Sequence, residues 1–187
     1  MTNPLKVLFV FNHPAPYKVR LFNALAKDID LHVLFERSKA SNRNPLFYQS
    51  GERKFTYAFL KGVPLGEENH LSMGIVRLLK RNTFDLIVMN GYSTFSEMLA
   101  IRYLKKHKIP YIFYINGGIV KKESRLKFLI KRAFITGAEH YFSPCVEASE
   151  YLTHYGVDAS TIFHYPYATI YDREIISEVL SSKEKLA

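Results

Sequence analysis

The sequence predicts an α/β fold, a parallel sheet of about six or seven strands with helices on both faces. Three observations predict it. Short apolar runs rich in β-forming residues recur along the chain. Between them lie stretches of helical periodicity long enough for the crossovers that parallel strands require. Several apolar runs also end in polar residues or glycine, as strands do where such a sheet meets its ligands.

The elements follow in order. "KVLFVFN" (6–12) is a buried strand, and "RLFNALAKD" sets Leu21, Phe22, Leu25 and Ala26 on one helical face. "DLHVLFE" (30–36) is a second strand. Residues 37–53, with Ser, Asn, Arg and Pro45, form an irregular excursion. "KFTYAFL" (54–60) alternates as a third strand, and "GVPLGEEN" is a loop. "SMGIVRLLKR" is a short helix and "FDLIVMN" (84–90) a fourth strand. Ser93 or Thr94 caps the helix "FSEMLAIRYLKKH", which must end before Pro110. "YIFYIN" is the fifth strand, and "ESRLKFLIKRAFIT" a helix stopped by Gly137. "EHYFS" is the sixth. Pro144 opens the helix "PCVEASEYLTHY", which Gly156 closes, and "TIFHYPY" supplies a last strand.

At 187 residues, 48% hydrophobic and 14% aromatic, the chain suits one ordered domain with a substantial core. No apolar run approaches the roughly 20 residues of a membrane-spanning helix. "KVLFVF" is followed at once by His13 and two prolines, so it reads as a strand rather than a signal peptide. The single cysteine cannot form an internal disulfide, which fits a reducing cytoplasm. The charge is uneven. Residues 102–132 hold ten Lys/Arg and one acid, Glu123, for a net +9, whereas the remainder has 16 basic and 16 acidic residues. Any electrostatic partner is therefore expected at that segment.

The fifth strand stops at Asn116-Gly117-Gly118. One reading is a tight turn into the next helix. The other is a ligand edge, where residues lacking Cβ let a ligand near the backbone. The polar ends of the first strand (Asn12, His13) and the fourth (Asn90, Gly91, Tyr92, Ser93) favour the second, because three such ends on one edge would face one cleft. Catalytic signatures are missing. "NHPAPYK" replaces the glycine fingerprint of a dinucleotide site, and Walker A, C-x-x-C and G-x-S-x-G motifs are absent. The seven histidines show no close metal spacing, so no metal site is expected. Cys145, in the first turn of a helix, is read as a small structural residue. The residues describe a binding site without a complete catalytic set.

In the helix after Gly118, a 100° step puts Leu126, Leu129, Ile130, Ala133 and Phe134 on a stripe expected to pack on the sheet. Phe128 and Ile135 then fall on the opposite face, among Arg125, Lys127, Lys131 and Arg132, with Lys121 and Lys122 just before. Basic side chains around exposed apolar anchors suit an anionic membrane surface. A partner domain, a solvated face and nucleic acid are the alternatives, the last without any recognition module in the chain.

Read together, "KVLFVFNHPAPYKVRLFNALAK" with "LHVLF", "FDLIVMNGY", "IPYIFYINGG" with its basic helix, and "GAEHYFSPCVEASEYLTHYGVDASTIFHYPY" resemble the amino-terminal half of family 4 glycosyltransferases of the GT-B fold. The likeness is to bacterial enzymes of capsule and surface-polysaccharide assembly. It spans nearly the whole chain and implies a Rossmann-like, acceptor-side domain over 1–172. Residues 173–187 would begin a linker to a carboxyl-terminal domain that binds the nucleotide-sugar. It further implies metal-independent sugar transfer with retention, no cofactor beyond the nucleotide-sugar substrate, and a lipid-linked or oligosaccharide acceptor. The protein would sit peripherally at the cytoplasmic face of the cell membrane.

Two departures matter. The loop "NHPAPYK" lacks the glycines that in many relatives approach the donor diphosphate. Asn116 stands where many have a histidine, and an amide can hydrogen-bond a sugar hydroxyl but cannot be an acid or base. The substrate cleft is accordingly assigned to Asn116, Gly117 and Gly118, with His13, Tyr17 and Lys18 beside them and Tyr92 and Ser93 nearby. The competing reading is a membrane-attached adaptor that recruits a separate catalytic half. A free-standing nucleotide-binding regulator is disfavoured by the missing phosphate loop.

Overall fold

The structure, a computed structural model, describes residues 4–39, 48, 52–65 and 69–167. The expected linker from 173 onward lies outside them. The strands are β1 (Lys6–Phe11), β2 (Asp30–Phe35), β3 (Thr56–Phe59), β4 (Val63–Leu65), β5 (Asn69–Leu71), β6 (Leu86–Asn90), β7 (Ile112–Tyr114), β8 (His140–Ser143) and β9 (Ile162–His164). The helices are α1 (Pro16–Leu25), α2 (Gly74–Arg81), α3 (Phe95–Lys106), α4 (Arg125–Ile135) and α5 (Val146–His154). Seven strands form one sheet in the order β3-β2-β1-β6-β7-β8-β9, and every neighbour pair in it is parallel. The expected α/β class and strand number hold. One difference lies at 62–69: the expected loop holds β4 and the start of β5, which pair as an antiparallel ribbon.

The order explains the layers. From β1 the chain steps outward to β2 and β3, then returns past β1 and steps the other way through β6, β7, β8 and β9. Right-handed crossovers put connections made in opposite directions on opposite faces. Thus α1 covers one face through Val19 and Phe22, which meet Val7, Phe9, Phe11, Val33 and Phe35. On the other face, Ile75 and Leu79 of α2, Ile101 and Leu104 of α3, Ile135 of α4 and Leu152 of α5 meet Leu8, Val10, Ile87, Met89 and Phe113. Successive side chains of β1 serve the two faces in turn, the period-two rule applied to a strand buried on both sides. In α1, Leu21 is exposed, because the inward stripe is built on Lys18, Val19 and Phe22 instead.

Helix α3 begins at a full capping box. Thr94 accepts from the Glu97 amide while the Glu97 carboxylate accepts from the Thr94 amide, so Thr94 rather than Ser93 is the cap.

Helix α4 reverses the expected face. Ile135 is fully buried, and Phe128 is half-buried with its ring stacked on Tyr155 at 5.2 Å between centroids. Lys131 also turns inward, to Glu123 at 2.7 Å and the Tyr155 hydroxyl at 3.1 Å. Leu126, Leu129 and Ile130 point outward at 69%, 49% and 48% exposure. Of the expected packing stripe, Phe134 alone reaches a partner ring, stacking on Tyr92. Both faces of this helix carry apolar bulk, and the aromatic rings at hand decide which one is used. Phe128, Lys131 and Ile135 therefore leave the expected membrane surface. Lys121, Lys122, Arg125, Lys127 and Arg132 stay exposed.

Candidate functional site

The sheet reverses its direction of winding between β1 and β6, and in open α/β sheets ligands sit at the carboxyl ends of strands beside such a point. Three asparagines stand there. Asn12 follows β1, Asn90 ends β6 and Asn116 lies just past β7. They form a relay: Asn116 Nδ2 donates to Asn90 Oδ1 at 3.1 Å, and Asn90 Nδ2 donates to Asn12 Oδ1 at 2.8 Å. Asn90 is buried, whereas Asn116 is exposed. Each bond fixes one amide, so the outer members present a set array of donors and acceptors to whatever enters.

The relay forms part of the wall of a cleft of about 570 Å³. Further lining comes from Gly91, Tyr92 and Ser93 after β6, Gly117, Gly118, Ile119 and Lys121 after β7, and Lys131 and Tyr151 from α4 and α5. The two strand-end glycines play different parts. Gly117 has φ +156°, and a Cβ there would meet nothing within 4 Å, so its backbone is open to the cleft. A Cβ on Gly118 would stand 2.6 Å from the Tyr151 ring, so that glycine makes room for packing. Gly91, at φ +74°, turns the chain at the end of β6.

Of the residues expected in the cleft, Asn116, Gly117, Gly118, Tyr92 and Ser93 line it, and His13, Tyr17 and Lys18 do not. His13 meets Tyr48, whose hydroxyl is 3.4 Å from Nδ1. Tyr17 packs edge-on against Tyr167. Lys18 is buried behind the cleft wall, where its ammonium donates to the Tyr114 hydroxyl and lies over the rings of Phe11, Tyr17, Tyr114 and Tyr167. Burial lowers its pKa to about 8. Lys18 reaches the cleft only through Tyr114, which lines it.

Tyr92 donates to or accepts from Tyr151 at 3.0 Å, and burial, with that hydroxyl contact, raises its pKa. Lys131 has its pKa raised and Glu123 its pKa lowered, each chiefly by their mutual hydrogen bond and then by Tyr155. Both stay charged at neutral pH.

Below the loop 91–94 lies a pair that sequence reasoning missed as a pair. Glu36, just past β2, accepts from the Thr94 hydroxyl, and Glu97 is fully buried beside it. Burial raises both carboxyl pKa values, Glu36 to about 7 against the opposing pull of Thr94 and Arg37, and the nearness of Glu36 raises Glu97 further. Two carboxylates cannot both ionise there, so the pair retains a proton at neutral pH. Sequence reasoning also missed Tyr151, whose approach to Gly118 no local pattern signals. It named Asn12 and Asn90 only as polar strand ends. Among the described residues no group of three or more His, Cys, Asp or Glu could hold a metal. No described helix is long and apolar enough to cross a membrane.

Known proteins share this architecture. The solved UDP-N-acetylglucosamine 2-epimerase from Rickettsia bellii superposes with a TM-score of 0.60 at 19% identity, over 87% of this chain and 44% of its own. Anabaena Alr3699/HepE in complex with UDP gives 0.58 at 12% identity, over 87% and 44%. The apo lipopolysaccharide outer core galactosyltransferase WaaB gives 0.50 at 12%, over 88% and 46%. At such identities the likeness is one of fold, and it is to one half of a GT-B architecture. The chain spans under half the length of each of these proteins. No curated protein matches it in sequence. A profile match to Glycosyltransferase Family 4 does cover residues 17–166, from the start of α1 past β9 and across every cleft element except β1 and its Asn12. By that match, on this fold, the chain belongs to glycosyltransferase family 4.

Proposed function

We propose that the chain is the acceptor-side half of a retaining, metal-independent glycosyltransferase. It would move a sugar from a nucleotide-sugar to a lipid-linked glycan during surface-polysaccharide synthesis, with the donor held mainly by a second domain. The observation that carries this reading is the cleft at the winding reversal, whose three-asparagine relay offers neutral hydrogen-bonding groups suited to sugar hydroxyls and no carboxylate among its lining residues. Such a wall binds and orients an acceptor and leaves proton transfer to groups outside it. The fragment is expected to be inactive by itself.

The same reading puts the protein at the cytoplasmic face of the cell membrane, against anionic lipid. Support comes from the outward side of α4, where Leu126, Leu129 and Ile130 stand beside exposed Arg125, Lys127 and Arg132. Expression of the whole gene, followed by incubation with labelled nucleotide-sugars and a membrane lipid extract, tests the activity. Label should enter the lipid fraction with a chelator present, and Asn116→Ala should reduce that transfer roughly tenfold. Absence of transfer from every nucleotide-sugar would refute the function, and loss on chelation would refute metal independence.

A further inference from the structure

The rim of the cleft carries a chemistry that sugar hydroxyls do not require. Its lining includes two lysines, Lys121 and Lys131, and no carboxylate. Lys131 is shared with Glu123 and Tyr155, but Lys121 is exposed and has no hydrogen-bond or ion-pair partner among the described residues. Between the strand end and Lys122 the backbone amides of 117–122 donate to no acceptor among the described residues. Free amides in a loop with an open glycine, next to two cations, are the elements of a phosphate-binding loop. The neighbouring surface is apolar. Ile119, itself a lining residue, is 71% exposed, and Val120 follows it, with the outward side chains of α4 farther along the chain.

Three zones thus border one cleft: neutral amides, then cations with free N–H groups, and an apolar strip. We infer that Lys121, Lys131 and the amides of Gly117, Gly118, Ile119 and Lys121, which line the cleft, form an anionic subsite for the phosphate or diphosphate that joins the acceptor's sugar to its apolar chain. The inference rests on the cleft being the acceptor's, as proposed above. A nucleotide-sugar could supply a diphosphate too, but its far end is a nucleoside, for which the exposed Ile119–Val120 strip is a poor match, whereas a hydrocarbon chain gains by covering it.

Calorimetric titration of the 187-residue chain with inorganic pyrophosphate, farnesyl diphosphate and UDP tests the subsite. Farnesyl diphosphate should bind more tightly than pyrophosphate, and Lys121→Glu should weaken both roughly tenfold or more. The thermal melting point should not move, because Lys121 is exposed and unpartnered. Diphosphate binding indifferent to Lys121→Glu would overturn the subsite. UDP binding as tight as farnesyl diphosphate and equally sensitive to Lys121→Glu would assign the lysine to the donor and overturn the acceptor assignment. If Lys121-dependent farnesyl diphosphate binding is found in a protein that transfers no sugar, the subsite stands and the function proposed above falls.

Discussion

The Glu36–Thr94–Glu97 cluster is where single residues set a property of the protein. Glu36 is ordinarily a carboxylate, but burial in the folded chain lifts its pKa to about 7, from a reference value of 4.5. Between those values the folded state holds a proton that the unfolded state has released. By linkage, stability is greatest below the lower value and declines as pH rises through the upper one. The melting temperature should therefore fall between pH 5 and about pH 7.5, and Glu36→Gln, which keeps the Thr94 bond without the titration, should flatten that decline. An unchanged slope in the variant would show that other groups cause it. Neither glutamate is conspicuous in the sequence. The Thr94-x-x-Glu97 spacing signals only a helix cap, and a cap gives no hint that a second acid from β2 lies beneath it.

At the scale of elements, α4 separates what periodicity can reveal from what it cannot. The 100° step sets the angular position of each side chain, because helix geometry is local. Which of them face inward depends on Tyr92 and Tyr155, from distant parts of the chain, whose rings stack on Phe134 and Phe128, one from each expected face. Lys131 can accompany them because Glu123 and the Tyr155 hydroxyl receive its ammonium. For the membrane binding proposed above, the consequence is specific. Leu129→Gln with Ile130→Gln should reduce pelleting with anionic vesicles roughly tenfold, in line with lost apolar burial, and charge reversal at Arg125 and Lys127 should act similarly through attraction to the lipid headgroups. Phe128→Ala should instead lower thermal stability. Pelleting that ignores both surface variants would refute the docking face.

For the molecule as a whole, the strand and helix order was legible because each buried strand is a short, nearly unbroken apolar run and each crossover keeps a helical period. The meeting of polar strand ends at the winding reversal was legible for a related reason: a polar residue closing a buried run needs a hydrogen-bonding partner at that end of the sheet. The ribbon β4–β5 was not, since its strands are three residues each and carry no alternation. The interior position of β7, between β6 and β8, gives a stability test. Phe113 is fully buried between sheet and helices, and Phe113→Ala should destabilise the fold by about 3–5 kcal/mol, read by denaturant unfolding. A loss below about 1 kcal/mol would mean that the core can collapse around the gap.

The asparagine relay has a last consequence. Its members stand at the ends of three adjacent strands, and neighbouring strands lie about 4.8 Å apart, so it works as a crossbar roughly 10 Å long over the reversal in winding. Each amide bonds the next and is polarised by it, so the three behave as one unit. A ligand bound at Asn116 would therefore sense the state of Asn12, two strands away, through Asn90. Energies measured at the two ends of the crossbar should not add.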